Sequence, residues 1–412
     1  MIRIENKEDC CGCAACVQIC PKKCFSLLED EQGFLYPLGN NNICIECGLC
    51  ERVCPIINKW ETKQPIQIKA SKNKNDFERN ASSSGGIFVL LAKKTIATGN
   101  GVVFGACFDD DWSVKHGYTE TLDGILAFQG SKYIQSKIGD TYIKAKDFLD
   151  QGRNVLFSGT PCQIAGLKHY LRKDYNNLVT IEILCHGVPS QRVWRDYLKF
   201  VLHSDGKSGD GNTFSSTLKD SSAIESISFR DKKNGWRKFG FVLRFRDERS
   251  DNRKGEQDIN ECYAKNLFMK GFLKNLYIRP SCFNCHSKGG SSKADLSLGD
   301  FWTVDKHCPT FNDNKGVSLV YVNSERGRNV LNGLDIDVIE LKKEIQYNRM
   351  YSKSCIEKYP LDLFWRRYEK EGLKSIIAIV KSMRKPLLLR ILNKLLRCFS
   401  LNSNEEVGIS VL

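Results

Sequence analysis

The period of hydrophobic and polar positions changes several times along the chain, and each change marks an element. The run IFVLLAKKTIATG from Ile87 has apolar residues at helical spacing and ends at Gly99. It follows the small polar stretch Ala81-Ser82-Ser83-Ser84-Gly85-Gly86, so a small-residue loop opens a helix. Gly101 to Phe108 and Trp112 to Tyr118 read as strands, and Gly130-Ser131-Lys132-Tyr133-Ile134-Gln135-Ser136 is a second polar loop expected to open another helix. Asn154 to Ser158 has a buried-strand pattern, Ile164 to Lys173 a helical one, Leu178 to Leu184 the next strand and Gln191 to Leu202 the next helix. A crossover of this length makes the two strands parallel and the connection right-handed. The fold class is therefore α/β, with α+β character over the whole chain.

Later stretches are less regular. Ser204 to Ser222 is rich in Gly, Ser and Asp and reads as a loop. Ile227 to Arg230 and Phe239 to Phe245 form a hairpin pattern around Asn234-Gly235-Trp236, and Asn260 to Tyr277 is expected to be a helix. Ile56 to Ile68 carries no periodicity and reads as a linker. The chain divides into a head over 1–62, a first body segment over 68–150, a second over 151–345 and a basic helical extension over 346–412.

With 412 residues, 41% of them hydrophobic, the chain can bury a core and hold two or three domains. MIRIENKEDC has no apolar leader pattern and no apolar run reaches the length of a membrane span, which makes a cytoplasmic location the expectation. The net charge of +14 suits an anionic surface or partner, but no nucleic-acid-binding motif accompanies it, so no nucleic-acid partner is expected.

The 19 cysteines change the picture most. Two runs read Cys10-x2-Cys13-x2-Cys16-x3-Cys20-Pro21 and Cys44-x2-Cys47-x2-Cys50-x3-Cys54-Pro55, the two-cluster signature in which the fourth cysteine of each run ligates the other run's cluster. Cys10, Cys13, Cys16 and Cys54 would hold one [4Fe-4S] cluster, and Cys44, Cys47, Cys50 and Cys20 the second. Two-residue gaps let a short loop close three thiolates on three corners of one cube. Zinc sites usually draw on separated Cys-x-x-Cys pairs, and a disulfide framework belongs to oxidising compartments, so neither alternative fits as well. Cys11 and Cys24 fall outside the spacing and read as bystanders.

Cys162 and Cys185 follow the carboxyl ends of the two parallel strands, the edge where open α/β sheets bind ligands. Cys282-x-x-Cys285 offers two more thiolates. The four together can share one further [4Fe-4S] site; the alternatives are small buried apolar residues for the first two, and a redox pair or half a zinc site for the Cys-x-x-Cys. The SSSGG loop at a helix start could seat a phosphate, or be an ordinary serine cap with a turn glycine.

In order and spacing, SSSGG (82–86), GSKYIQS (130–136), GTPCQIAGL (159–167), LCHGVPS (184–190), CFNC (282–285), ADLSLGDFW (294–302) and DNKGVSLVYVNSERG (313–327) resemble the beta subunit of coenzyme F420-reducing hydrogenase and its relatives, here behind a ferredoxin-like head. The resemblance implies FAD and a third cluster on Cys162, Cys185, Cys282 and Cys285. It also implies flavin contacts at Ser84, Gly85 and Gly86 near phosphate, at Ser131, Lys132 and Tyr133 toward the ring, and at Gly159 and Thr160. Lys132, His186 and Asp300 lie beside these loops and are the candidate proton donors. The implied activity is that of an iron–sulfur flavoprotein oxidoreductase, taking electrons from a ferredoxin-like partner and reducing a small molecule at the flavin. The alternative is an electron-transfer subunit that feeds a separate reductase. Relatives of this layout suggest, by analogy alone, a place in envelope polysaccharide metabolism.

The segment Ile376 to Phe399 contains six basic and no acidic residues among Ile and Leu, with Pro386 expected to kink it. It reads equally as a helix lying on an anionic membrane, which would make the protein membrane-peripheral, or as one packed on the body or on another protein of a complex.

Overall fold

In the head, both cysteine runs bend the backbone in the same way. The residues flanking the second cysteine have positive φ: Gly12 (70°) and Ala14 (59°) in the first run, Glu46 (52°) and Gly48 (70°) in the second. Alternating left-handed residues turn successive N–H groups toward one concavity, a shape that suits an anionic cluster. Short helices follow at α1 (Ala15–Ile19) and α2 (Leu49–Arg52), and between the runs β1 (Phe25–Glu29) pairs antiparallel with β2 (Leu35–Gly39). The computed structural model of the chain describes residues 1–203, 221–246 and 258–383.

The body begins with β3 (Gln67–Asn73), α3 (Asp76–Ala81) and α4 (Ile87–Ile96), then β4 (Gly101–Phe108) and β5 (Val114–Thr119). The expected β-α-β-α unit follows as α5 (Thr141–Asp150), β6 (Asn154–Gly159), α6 (Pro161–Leu171), β7 (Leu178–Ile183) and α7 (Gln191–His203). Pro161 and the capping box of Thr160 and Gln163 explain why α6 starts at the strand end. After β8 (Ile224–Asp231), β9 (Gly240–Phe245), β10 (Ile259–Cys262) and α8 (Leu267–Leu273) come β11 (Leu296–Asp300), α9 (Val304–His307), β12 (Ser318–Val322), α10 (Glu325–Leu331), β13 (Ile336–Leu341), α11 (Leu361–Glu371) and α12 (Lys374–Ser382).

One eight-stranded sheet runs β13-β3-β12-β11-β7-β6-β4-β5. Its centre, β4, β6, β7 and β11, is parallel and its flanks are antiparallel. Strands from both sides of residue 150 build it. The expected hairpin is β8–β9, extended by β10 into a three-stranded sheet.

Two expectations change. The 130–136 loop opens no helix: Ile134, Gln135 and Ser136 are buried in irregular backbone, Lys137 exchanges backbone bonds with Val114 and His116, and α5 starts at Thr141. Tertiary partners at both ends of the loop take the place of a helical turn. Within 260–277, β9 recruits the first residues as β10, and Asn266, accepting from Met269 N–H at 3.0 Å, caps a shorter helix. The loop assigned to 204–222 lies outside the described residues except Ser221 and Ser222, and the basic segment lies outside them from 384 onward, Pro386 included. The start of that extension is packed: Ile376 and Ile379 are fully buried, and α11 places Phe364 5.8 Å from Tyr277, ring to ring. Among the described residues no helix is long and apolar enough to cross a membrane.

The head is seated on the body. Gln18 Oε1 accepts from Tyr142 N–H at 3.0 Å, Arg192 donates to Glu31 O at 2.6 Å, and the linker residue Trp60 stacks on His169 at 3.8 Å under the Lys293 ammonium. Gly166 makes the closest fit: a Cβ there would lie 2.9 Å from Cys13 Cβ and 3.0 Å from Tyr142 Oη. Gly166→Val is therefore expected to cost about 1–3 kcal/mol of stability and to speed proteolysis at 56–66 as the head lifts. An unchanged melt and cleavage rate would count against this seating.

Candidate cluster and cofactor sites

Three groups of cysteines gather where the fold turns sharply. In the first, Cys13, Cys16 and Cys54 are buried and Cys10 half-buried; Cys16 and Cys54 pack inside the head, while Cys13 and Cys10 face the body at Gly166 and Arg279. The second, Cys20, Cys44, Cys47 and Cys50, rings a cavity at the outer end of the head, beside exposed Ile45. Backbone N–H groups already point at its sulfurs: Cys24 to Cys20 Sγ at 3.3 Å, Glu46 to Cys44 Sγ at 3.4 Å and Ile2 to Cys50 Sγ at 3.4 Å. Such bonds suit thiolates that carry cluster charge.

The third cavity is lined by Cys162, Cys185, Cys282 and Cys285, with His186, Lys288 and a fifth cysteine, Cys11, from the head. Because β6 and β7 are adjacent and parallel, the start of α6 and the loop after β7 bring Cys162 and Cys185 to one edge. The Pro280–Cys282 turn brings the Cys-x-x-Cys to the same place. Burial pushes the Cys185 thiol up to about 12 and Cys285 up to about 11, and neighbouring sulfurs add to both. Four thiols crowded so closely resist ionising on their own, and iron would supply the positive charge that lets them. Among the described residues no three His, Cys, Asp or Glu side chains converge as they would on a single ion. Thr160 Oγ1 lies 3.2 Å from Cys162 Sγ, and Lys288 Nζ donates to Cys185 O at 2.6 Å.

The structure brings the two Ser/Gly loops together. Ser131 N–H donates to Ser83 Oγ at 2.7 Å, and Gln129 Nε2 to Ser82 Oγ at 2.9 Å. Within this seam Ser84 Oγ donates to Val317 O and Gly85 N–H to Ser318 Oγ, both at 2.9 Å, so these two donors serve the fold. Gly85 also packs too closely for a side chain, since a Cβ would lie 2.5 Å from Ser71 O. Gly86, at φ 80°, opens α4 without a side-chain cap, so the positive end of that helix keeps its first-turn N–H groups free of a capping side chain. Among the described residues Lys132 donates to Gln129 O and Gly130 O, at 3.2 and 3.3 Å, and burial pushes its ammonium down to about 8. Tyr133 stacks on Phe272 at 5.1 Å, and Phe272 meets His186 edge-on at 5.2 Å, so one aromatic chain joins the seam to the third cavity. Gly159 ends β6 against Gln163 and His116.

The three candidate proton donors stand in different settings. Asp300 is held by Arg230 through two bonds of 2.9 and 3.1 Å and accepts from Trp236 Nε1 at 3.0 Å, so its carboxylate is committed to an ion pair. His186 Nε2 lies 2.5 Å from Asn275 Oδ1, and burial holds the ring below the ordinary histidine range. Lys132 alone sits at the loop seam. Four residues escaped the sequence reading: Cys11 in the third cavity, Arg230 with Asp300, Lys232, and Arg279. Lys232 donates to Ser84 O at 2.7 Å and is pushed down to about 7, first by burial and then by Arg230. The doubled cysteine at 10–11 and the basic residue three before Cys282 were the available signals for Cys11 and Arg279.

The family described as the C terminus of the coenzyme F420 hydrogenase/dehydrogenase beta subunit matches residues 152–346. A subunit of the F(420)H(2) dehydrogenase of Methanosarcina mazei is 21% identical over 192 residues, 44% of this chain and 54% of its own length. The coenzyme F420-dependent sulfite reductase of Methanocaldococcus jannaschii is 22% identical over 359 residues, 84% of this chain and 50% of that protein. A 7Fe ferredoxin of Hydrogenibacillus schlegelii is 43% identical over 51 residues, 12% of this chain and 59% of the ferredoxin. The chain thus spans about half the length of the relatives it matches.

Proposed function

We propose, for a chain that through residues 152–346 belongs to the coenzyme F420 hydrogenase/dehydrogenase beta-subunit family, that it is an iron–sulfur flavoprotein oxidoreductase. Cys10, Cys13, Cys16 and Cys54, then Cys20, Cys44, Cys47 and Cys50, and then Cys162, Cys185, Cys282 and Cys285 would each hold a [4Fe-4S] cluster, which would supply one-electron transfer from a ferredoxin-like protein toward the two-electron reduction of a small molecule. The observation that carries this reading is the third cavity, where four thiols from three separate turns meet against the seated head. FAD is the group that converts one-electron supply into two-electron delivery. The loop seam beside Tyr133 supports it: the uncapped start of α4 fits an anionic phosphate. Lys132, whose ammonium burial pushes down to about 8, is the candidate proton donor on the ring side of that seam.

Anaerobically reconstituted protein is expected to show a flavin spectrum and to reduce artificial two-electron acceptors with a one-electron donor. Lys132→Met should weaken flavin retention more than Lys132→Arg. A holoprotein with its irons that neither contains nor takes up flavin overturns the flavin assignment. Flavin binding without turnover favours the second reading, a subunit that passes electrons to a separate reductase; a relative that is itself part of a multi-subunit dehydrogenase supports that reading.

A further inference from the structure

Arg279 is fully buried, and among the described residues none of the partners its guanidinium finds is a carboxylate. Nε donates to Cys10 O at 2.8 Å, Nη1 to Gln135 Oε1 at 3.1 Å, and Nη2 to Leu35 O at 3.0 Å and to Cys10 Sγ at 3.7 Å. The plane lies over Tyr36 at 4.3 Å. A guanidinium taken wholly out of water needs an opposite charge, and Cys10, as a cluster ligand, would supply it from that position. The backbone of Arg279 belongs to the third cavity: its N–H donates to Val188 O at 2.9 Å, in the loop carrying Cys185, and its carbonyl accepts from Cys282 N–H at 2.9 Å.

The same interface brings two thiol sets together. Cys13, assigned to the first head cluster, faces Gly166 on the helix that carries Cys162. Cys11 is buried at the same interface, where it packs with Cys13 and lines the third cavity beside Cys162. The second head set lies at the far side, where Ile43 and Ile45 are exposed.

We infer that the first head cluster is the gateway from the head into the body, and that Arg279 is the positioning residue that raises its reduction potential and pins it beside the third cluster. This rests on the three-cluster reading. A buried cation bonded to a ligand sulfur favours the reduced, more negative cluster. Each transfer oxidises the first head cluster by one electron and reduces the third by one, with no bond made and no proton moved. The reductant is the one-electron donor protein docking at the outer, second cluster.

The test is a potentiometric titration of the full chain followed by electron paramagnetic resonance, with iron counted in every sample. Arg279→Gln at full iron content should move one of three midpoints to lower potential, and Arg279→Lys, which keeps the charge, should move it less. Three unchanged midpoints in Arg279→Gln would overturn the tuning role. A second measurement does not depend on Arg279. In the fully reduced native chain, one head signal should be broadened by coupling to the third cluster, and the broadening should vanish in Cys282→Ala, Cys285→Ala. Head signals identical in the two proteins would overturn the gateway order. An iron content near eight in the native chain would instead remove the three-cluster reading itself.

Discussion

The Cys282→Ala, Cys285→Ala chain is expected to carry about eight irons where the native chain, reconstituted without oxygen, carries about twelve. The two changes remove half the thiols of the third set and none from the head sets. Local structure should survive, because what Cys282 gives its surroundings includes a carbonyl, accepting from Cys355 Sγ at 3.3 Å, that alanine retains. The check is iron per chain together with the two head signals, which should persist. A double variant that still holds about twelve irons would mean that Cys11 and Cys355, the buried thiols nearest the site, can replace the missing ligands.

That experiment separates what local spacing can reveal from what only the fold can. The bend of each head run was legible because three cysteines in seven residues must turn about one point, a property of chain geometry over one short loop, and the positive φ of Gly12, Ala14, Glu46 and Gly48 makes that turn. The shared placement of Cys162 and Cys185 was legible at one remove, since the β-α-β pattern puts both at strand ends, and β6 and β7 are adjacent and parallel. Cys11 could not be separated from a bystander: its role depends on how α1 lies against α6, and nothing in the period of either helix specifies that docking. The 130–136 loop failed for a related reason. Its polar start resembles a helix opening, yet Ser131 and Gln135 bind Ser83 and Cys11, residues about fifty and more than a hundred positions away. Tertiary partners overrode local preference there, as β9 did in taking 259–262 for an edge strand.

Asp300 shows the limit most directly, since its place beside a cofactor loop suggested a proton donor and the fold gives it a buried cation. Arg230 is 4% and Asp300 16% exposed at the side chain, and Arg230 also reaches Tyr133 Oη at 3.1 Å and Ser83 O at 3.1 Å. The pair therefore ties the β8 hairpin to both Ser/Gly loops and to the end of β11. Asp300→Asn preserves shape and the bond from Trp236 but leaves the guanidinium without its counter-charge, a loss of about 3–5 kcal/mol for a buried pair broken on one side. Unfolding by denaturant should show a lower midpoint with an unchanged slope. Replacing both partners by apolar residues, Arg230→Met with Asp300→Leu, should recover much of that stability, because no charge then remains unpaired. A proton donor would behave differently. Asp300→Asn would then melt like the native chain and lose turnover alone, and that result would return Asp300 to the chemistry.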